Sequence, residues 1–241
     1  MAAGKKRKYT KVLLKLSGEA LAGDKGFGID VQVIEKTARE IKEVVDLGVK
    51  LGIVIGGGNI FRGVAASARG MDRIQADYLG MLATLFNAVA IKETLKKTGI
   101  AAQVFSALAI PALAETYLPQ GAKNLLEKGT VLLLAAGTGN PFFTTDTAAA
   151  LRAAELGMEV ILKATQVDGV YNENPRINTK AKIYSEISYA DFLQGHLQVM
   201  DATAVSLARE HSIPLIVFNG LIQGNLKKII LGSSIGTLIK G

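Results

Sequence analysis

The stretch Ile53-Val54-Ile55-Gly56-Gly57-Gly58-Asn59-Ile60-Phe61-Arg62-Gly63 decides how this chain is read. Its β-branched opening predicts a buried strand, which three consecutive glycines then end. Glycine at a strand end either supplies the positive φ of a tight turn or lets another group approach the backbone closely. In the second case bare amides leaving the strand converge on an anion, phosphate above all. Arg62 follows at once, with a planar fork suited to phosphate oxygens. A lone Gly-Gly-Gly favours the plain turn. What tips the balance is that comparable loops recur along the chain.

Upstream, Lys11-Val12-Leu13-Leu14-Lys15-Leu16-Ser17-Gly18 predicts a strand whose far end carries a lysine, a serine and a glycine. A lysine in a strand covered on both faces is costly unless it snorkels to an edge or meets an anion. Gly23-Asp24-Lys25-Gly26-Phe27-Gly28 reads as a glycine-rich excursion. Asp30 can cap a helix through Leu47, with Ile34, Ala38, Ile41 and Val45 on one face and Gly48 stopping it.

Downstream, residues 72–98 predict a long helix with an apolar face of Met81, Leu82, Leu85, Val89 and Leu95. Asp77 falls in its first turns, where the helix dipole favours an acid whether or not a ligand is present. Residues 101–105 and 130–136 predict strands, with a helix at 119–128 between them. The second of these strands runs into Gly137-Thr138-Gly139-Asn140-Pro141-Phe142-Phe143-Thr144-Thr145-Asp146 and an alanine-rich helix to Leu156. This is a second strand–loop–helix turn fit for phosphate, with Thr144 or Thr145 as a cap. A strand at 158–164 leads into Thr165-Gln166-Val167-Asp168-Gly169-Val170-Tyr171, whose Asp-Gly signals a turn or hairpin. A polar loop at 172–182, a helix from Met200-Asp201 to about His211, a strand at 214–219 and a short strand at 237–240 complete the chain.

At 241 residues and 49% hydrophobic content the chain can bury the core of one large α/β domain or two small ones. The apolar residues fall in short runs, so no bilayer-spanning segment is expected. No apolar signal core follows the N-terminal charges, and a cytoplasmic location is expected. The lack of cysteine excludes disulfides, thiol catalysis and thiolate metal sites. With two histidines, a dedicated zinc site is disfavoured. Net charge is +7, of which Lys5, Lys6, Arg7 and Lys8 supply four. Residues 1–8 therefore read as a solvated, disordered basic tail or, less simply, a nucleic-acid contact. The modest positive balance of the remainder suits a small anionic ligand better than a polyanion.

Strands alternate with helices throughout. The expected fold is α/β: a single-domain, three-layer α/β/α sandwich over residues 9–241, its central sheet mostly parallel and its ligands at the C-terminal strand ends. No P-loop and no Gly-x-Gly-x-x-Gly fingerprint is present. Gly232-Ser233-Ser234-Ile235-Gly236 formally matches a hydrolase elbow, but both His196 and His211 precede it, so it reads as a turn. What remains is Lys15, Arg62, Asp77, Asp146 and Asp201 among glycine- and hydroxyl-rich loops. Two phosphate-type turns suggest two phosphorylated ligands, or one site between a donor and an acceptor. Phosphoryl transfer asks for in-line positioning and cationic neutralisation, which lysine, glycine amides and a magnesium ion can supply.

Taken together, Lys15-Leu16-Ser17-Gly18-Glu19-Ala20-Leu21, Val54-Ile55-Gly56-Gly57-Gly58-Asn59 and Lys163-Ala164-Thr165-Gln166-Val167-Asp168-Gly169-Val170-Tyr171 resemble the amino acid kinase family. Within it, the string from Gly137 to Asp146 and Val199-Met200-Asp201 are similar to those of bacterial uridylate kinases. The likeness runs from about residue 9 to the C-terminus.

The resemblance implies ATP- and Mg2+-dependent conversion of UMP to UDP, in pyrimidine nucleotide synthesis. It implies that Lys15 neutralises the moving phosphoryl group, with Asp146 and Asp201 as catalytic partners orienting Lys15 or magnesium. Lys15, Leu16, Ser17, Gly18, Gly58, Arg62, Thr165, Gln166, Tyr171 and Asn174 would hold ATP. Gly57, Asp77, Thr138, Gly139, Asn140, Pro141, Phe142, Phe143, Thr144 and Thr145 would hold UMP, Asp77 accepting from ribose hydroxyls. Gly23, Asp24, Lys25, Gly26, Phe27 and Gly28 match a loop associated with GTP activation and UTP inhibition, and a homohexamer is implied. Where relatives usually carry an aspartate before the proline, this chain has Asn174-Pro175, which keeps an acceptor but loses a charge. The competing readings are another member of the family acting on a carboxylate or carbamate, and a non-catalytic nucleotide-binding regulator.

Overall fold

The computed structural model describes all residues except 1–6, 64–66, 68–69, 174, 176 and 179. Its frame is one nine-stranded sheet. The strands are β1 (Lys11–Leu16), β2 (Lys50–Ile55), β3 (Ala102–Ser106), β4 (Glu115–Thr116), β5 (Val131–Ala135), β6 (Val160–Thr165), β7 (Glu186–Ser188), β8 (Leu215–Asn219) and β9 (Thr237–Lys240). Their spatial order is β4-β3-β5-β2-β1-β6-β8-β9-β7. Neighbours run parallel except β8 and β9, which pair antiparallel. The sheet is thus mostly parallel, as its alternation with helices requires.

The helices are α1 (Gly18–Leu21), α2 (Val31–Asp46), α3 (Arg73–Lys97), α4 (Pro119–Glu127), α5 (Thr145–Leu156), α6 (Tyr189–Gln194), α7 (Ala202–Glu210) and α8 (Asn225–Ile230). Strand alternation divides the core in two. Val12, Leu14, Ile53, Ile55 and Leu162 join Ile41 of α2, Ile91 of α3 and Ile229 of α8 on one face. Leu13, Val54, Leu132 and Ile161 meet Leu126 of α4, Ala149 of α5, Phe192 of α6 and Val205 of α7 on the other. The result is the three-layer α/β/α sandwich. Asp30 accepts from the Gln32 and Val33 amides to start α2, and Asp72 from the Gln75 amide to start α3.

The structure adds short elements that the residue pattern left as connections: α1, α6, α8, β4 and β7. Two to six residues are too few for a period to declare itself, although Leu226, Ile229 and Ile230 do mark the buried side of α8. The membrane reading needs a correction. By length and composition α3 is apolar enough to cross a bilayer, because its apolar residues are spread around the helix rather than gathered in one run. One side, with Leu85, Ala88, Ile91 and Leu95, is buried in the core, while Leu79, Leu82 and Phe86 are exposed. At the N-terminus the described part of the basic segment lies against the body. The Arg7 guanidinium donates to the Leu47 carbonyl, and the Lys8 amide to that of Ile230 at 2.9 Å.

Ile91 is fully buried, so Ile91→Ala should cost about 2–5 kcal/mol of stability in urea unfolding. Turnover per folded molecule should stay at the wild-type level, because Ile91 touches only core.

Candidate active site

Because β1, β2, β5 and β6 run parallel side by side, their C-terminal ends deliver four loops to one edge of the sheet. Lys15 of β1 is in register with Lys163 of β6. Both side chains emerge on the face covered by α5, and both are buried. Asp146, in the first turn of α5, lies between them. Its Oδ1 is 2.9 Å from Lys15 Nζ, and its Oδ2 accepts from Lys163 Nζ. Oδ1 is thus held by the Lys15 ammonium and by no other hydrogen-bond donor among the described residues. Lys163 also donates to the Val199 carbonyl.

Burial alone would push the Asp146 carboxyl up, but Lys15 and Lys163 together outweigh it and hold it below its ordinary value. Lys163 is pulled down, first by burial and then by Lys15, with Asp146 opposing. Two ammonium groups thus share one carboxylate in a largely buried cluster, and the Asp201 charge also bears on Lys163. Asp201 stands nearby as the residue before α7. It accepts from Thr144 Oγ1, while Thr144 in turn caps α5 through the Asp146 and Thr147 amides.

The glycine stretch packs hard against its neighbours. A Cβ at Gly57 would lie 2.7 Å from Ala83 Cβ and 2.8 Å from the Gly80 carbonyl of α3, so only glycine lets β2 end directly on that helix. Gly57 and Gly58 then form one wall of a cleft of about 180 Å³. Asp77, Thr138, Phe143, Thr144 and Thr145 also line it. The Asp77 carboxylate is gripped by Arg73 Nε at 3.0 and 2.9 Å and accepts from the Phe142 amide at 2.8 Å. The Arg73 guanidinium lies 5.6 Å from the centre of the Phe142 ring. Phe142 itself adopts φ 71°, a strained conformation for a side chain of its size. Arg152 of α5 holds the loop's first carbonyl, Gly137 O, at 3.0 Å.

Several expected residues therefore converge: Lys15 meets Asp146, and Gly57, Gly58, Asp77, Thr138, Phe143, Thr144 and Thr145 share one cleft. Arg62 is exposed and folded back, its Nε on Gly58 O at 3.3 Å and its Nη2 on Glu19 at 3.0 Å. Gly23 and Asp24 line a separate cavity of about 440 Å³ together with Leu16, Ser17 and Thr165. Gly139, Asn140, Pro141, Phe142 and Tyr171 line neither cavity, and Tyr171 instead bridges to Ile183. Asn174 lies outside the described residues. Lys163, Arg73, Arg152 and the Asn87 described below were not singled out from sequence. For Lys163 the signal was present, since the cost of a lysine in a doubly covered strand applies to it as it does to Lys15.

A model of the amino acid kinase family matches residues 10–219. Among solved structures, the UMP kinase of Bacillus anthracis is 41% identical, with a TM-score of 0.94 and 97% of each chain covered. The UMP kinase of Ureaplasma parvum is 35% identical at a TM-score of 0.91, covering 97% of this chain and 100% of that one. The uridylate kinase of Archaeoglobus fulgidus is 28% identical at 0.74, covering 95% and 99%.

Since the folded Asp146 carboxyl titrates below 3.8, its contribution to stability is complete above that pH. It is lost as pH falls through the lower folded value. The stability gap between wild type and Asp146→Asn, from urea titrations at stepped pH, should be widest at neutrality and shrink in acid. A gap that does not change with pH would remove the charge from the explanation.

Proposed function

The chain belongs to the amino acid kinase family, and from that premise we propose that it moves the γ-phosphoryl group of ATP onto UMP, giving ADP and UDP. The observation that carries the reading is the glycine-lined cleft together with the Lys15–Asp146–Lys163 cluster, which is joined to it through Thr144 and Thr145, cleft residues next to Asp146 in the chain. The similarity to UMP kinases over nearly the whole chain supports it. A nucleoside monophosphate brings its own nucleophile, because a phosphate monoester is largely dianionic at neutral pH, with a second pKa of about 6. No general base is required. Asp146, pinned between two ammonium groups, is a fixed counter-anion that aims Lys15 and Lys163. Lys15 would then face the phosphoryl group as charge spreads over its oxygens.

UMP would lie in the cleft with its ribose toward Asp77. That carboxylate has about four acceptor positions, and only two donors reach it, the bifurcated Arg73 Nε–H and the Phe142 amide, which leaves capacity for a ribose hydroxyl. Thr138 to Thr145 would close over the base, and Gly57 would face the α-phosphate. On the donor side Ser17, Gly18 and Gly58 would line the phosphates, and Arg62 would exchange Glu19 for a phosphate oxygen. Thr165, Gln166, Tyr171 and Asn174 would serve the adenosine end. Magnesium would be held mainly by the nucleotide phosphates, with the Asp201 carboxylate as the protein oxygen offered to it, because both Asp146 oxygens face lysine ammonium groups. Bound with ATP, the ion would supply further neutralisation of the donor phosphates.

The wider assignment is a cytoplasmic homohexamer in pyrimidine nucleotide synthesis, activated by GTP through the 23–28 loop and inhibited by UTP. It rests on the family resemblance of those residues.

The test is ADP release from ATP and magnesium with UMP, CMP, AMP, GMP, aspartate and acetylglutamate as separate acceptors, with and without GTP. Turnover confined to UMP is expected, and turnover on an amino acid would overturn the substrate assignment. Lys15→Ala should lower kcat by about 10²–10³-fold with little change in the KM for UMP, because its charge matters most in the transition state. Asp77→Asn should instead act mainly on that KM.

A further inference from the structure

Two buried asparagines outside the ligand cleft close a hydrogen-bonded ring behind the phosphoryl site. Asn59 and Asn87 are 1% and 0% exposed. Asn59 Nδ2 donates to Gly28 O at 2.7 Å and to Asn87 Oδ1 at 3.0 Å. Asn87 Nδ2 donates to Gly56 O at 2.8 Å and to Asn59 Oδ1 at 2.7 Å. The Gly28 amide returns a bond to Asn59 O at 2.8 Å. All four side-chain N–H groups are matched, which is the condition under which a buried polar pair is tolerated.

The ring also meets the loop after β1. A Cβ on Gly18 would fall 2.4 Å from Gly56 O and 2.7 Å from Asn59 Oδ1, so the Gly18 backbone rests directly on the pair. Four segments therefore converge on one point: the Ser17–Gly18 corner, the end of the 23–28 loop, the Gly56–Asn59 loop and the middle of α3. Asn87 lies ten residues beyond Asp77 on the same helix, about three turns away.

We propose that Asn59 and Asn87 are positioning residues for phosphoryl transfer. Neither lines the acceptor cleft. They act through Gly18 and Gly56, and they set the spacing between the loop that holds the donor phosphates and the loop that receives the acceptor phosphate. In-line transfer is steep in that spacing: a displacement of about 1 Å can cost on the order of 10²-fold in rate. Because α3 carries both Asn87 and Asp77, the same rigid element indexes the donor loop and the acceptor ribose. The inference rests on the phosphotransfer reading but not on the identity of the acceptor.

Asn87→Ala, Asn59→Ala and the double variant are compared with Ile91→Ala, which lies one turn from Asn87 and destabilises the same helix without touching the ring. Turnover is measured on the acceptor that the wild-type enzyme uses best, and expressed per folded molecule. Each asparagine variant should lose about 10–100-fold in kcat with both KM values within about twofold, since the binding groups themselves are intact. The double variant should be little worse than either single one, because the ring is broken once. Asn87→Ser, which keeps one donor, should lose less and serves if Asn87→Ala does not fold. Amide hydrogen exchange should quicken at Gly18 and Gly56 in the asparagine variants and not in Ile91→Ala. Unchanged kcat per folded molecule in the asparagine variants, with stability loss like that of Ile91→Ala, would reduce the pair to packing and overturn the proposal.

Discussion

The constraint on which the rest of this structure depends is the burial of two lysines against one carboxylate. Each ion taken from water costs several kcal/mol, and Lys15, Lys163 and Asp146 are all largely buried. Such a cluster persists only if its members are held by elements that cannot move apart. Lys15 and Lys163 stand on adjacent central strands, and Asp146 stands in the first turn of the helix that crosses above them. The sheet order that makes β1 and β6 neighbours is therefore also the arrangement that assembles the charge.

Around that cluster the loops share one design, in which the backbone is placed by side chains that are themselves fixed. Ala136, at φ 60°, turns the chain out of β5. Its amide donates at 2.7 Å to Thr84 Oγ1, which donates in turn to Met81 O. One residue on, Arg152 holds Gly137 O, bonds Glu155 and stacks 3.9 Å from the centre of the Tyr117 ring. A strained turn held at both sides is pre-organised, so binding energy need not be used to form it. Asn59 and Asn87 do the same for the glycine stretch. On the proposed reading, the protein brings a set of fixed distances to the reaction, which is how phosphoryl transfer is accelerated with little covalent chemistry.

Much of this was legible in the residues. The alternation of short β-branched runs with amphipathic helices indicated the layered sheet, since both periods are local properties of ten or so neighbouring residues. Asp30, Asp72 and Thr144 marked helix starts by the same local logic and cap them in the structure. The glycine stretch and the string from Gly137 to Asp146 marked the edge at which ligands would sit. Lys15 stood out because a lysine near the end of a buried strand must either snorkel to an edge or meet an anion. The short elements and the span of α3 were less legible, because a period needs length and short apolar runs can still sum to a long apolar helix.

By itself the sequence determined the fold class and the family, and it marked the glycine-rich loops that the structure gathers at one edge of the sheet. These follow from spacing and residue type over short distances along the chain. Only the tertiary structure decided that Asp146 serves Lys163 as well as Lys15, that Arg62 rests on Glu19, and that Asn87 closes a ring with Asn59, Gly28 and Gly56. Those partners are separated by 17 residues or more along the chain. Their meeting is fixed by strand register and by the seating of α3 and α5 on the sheet, and a side chain's choice among equally polar partners is made by geometry that no local pattern encodes.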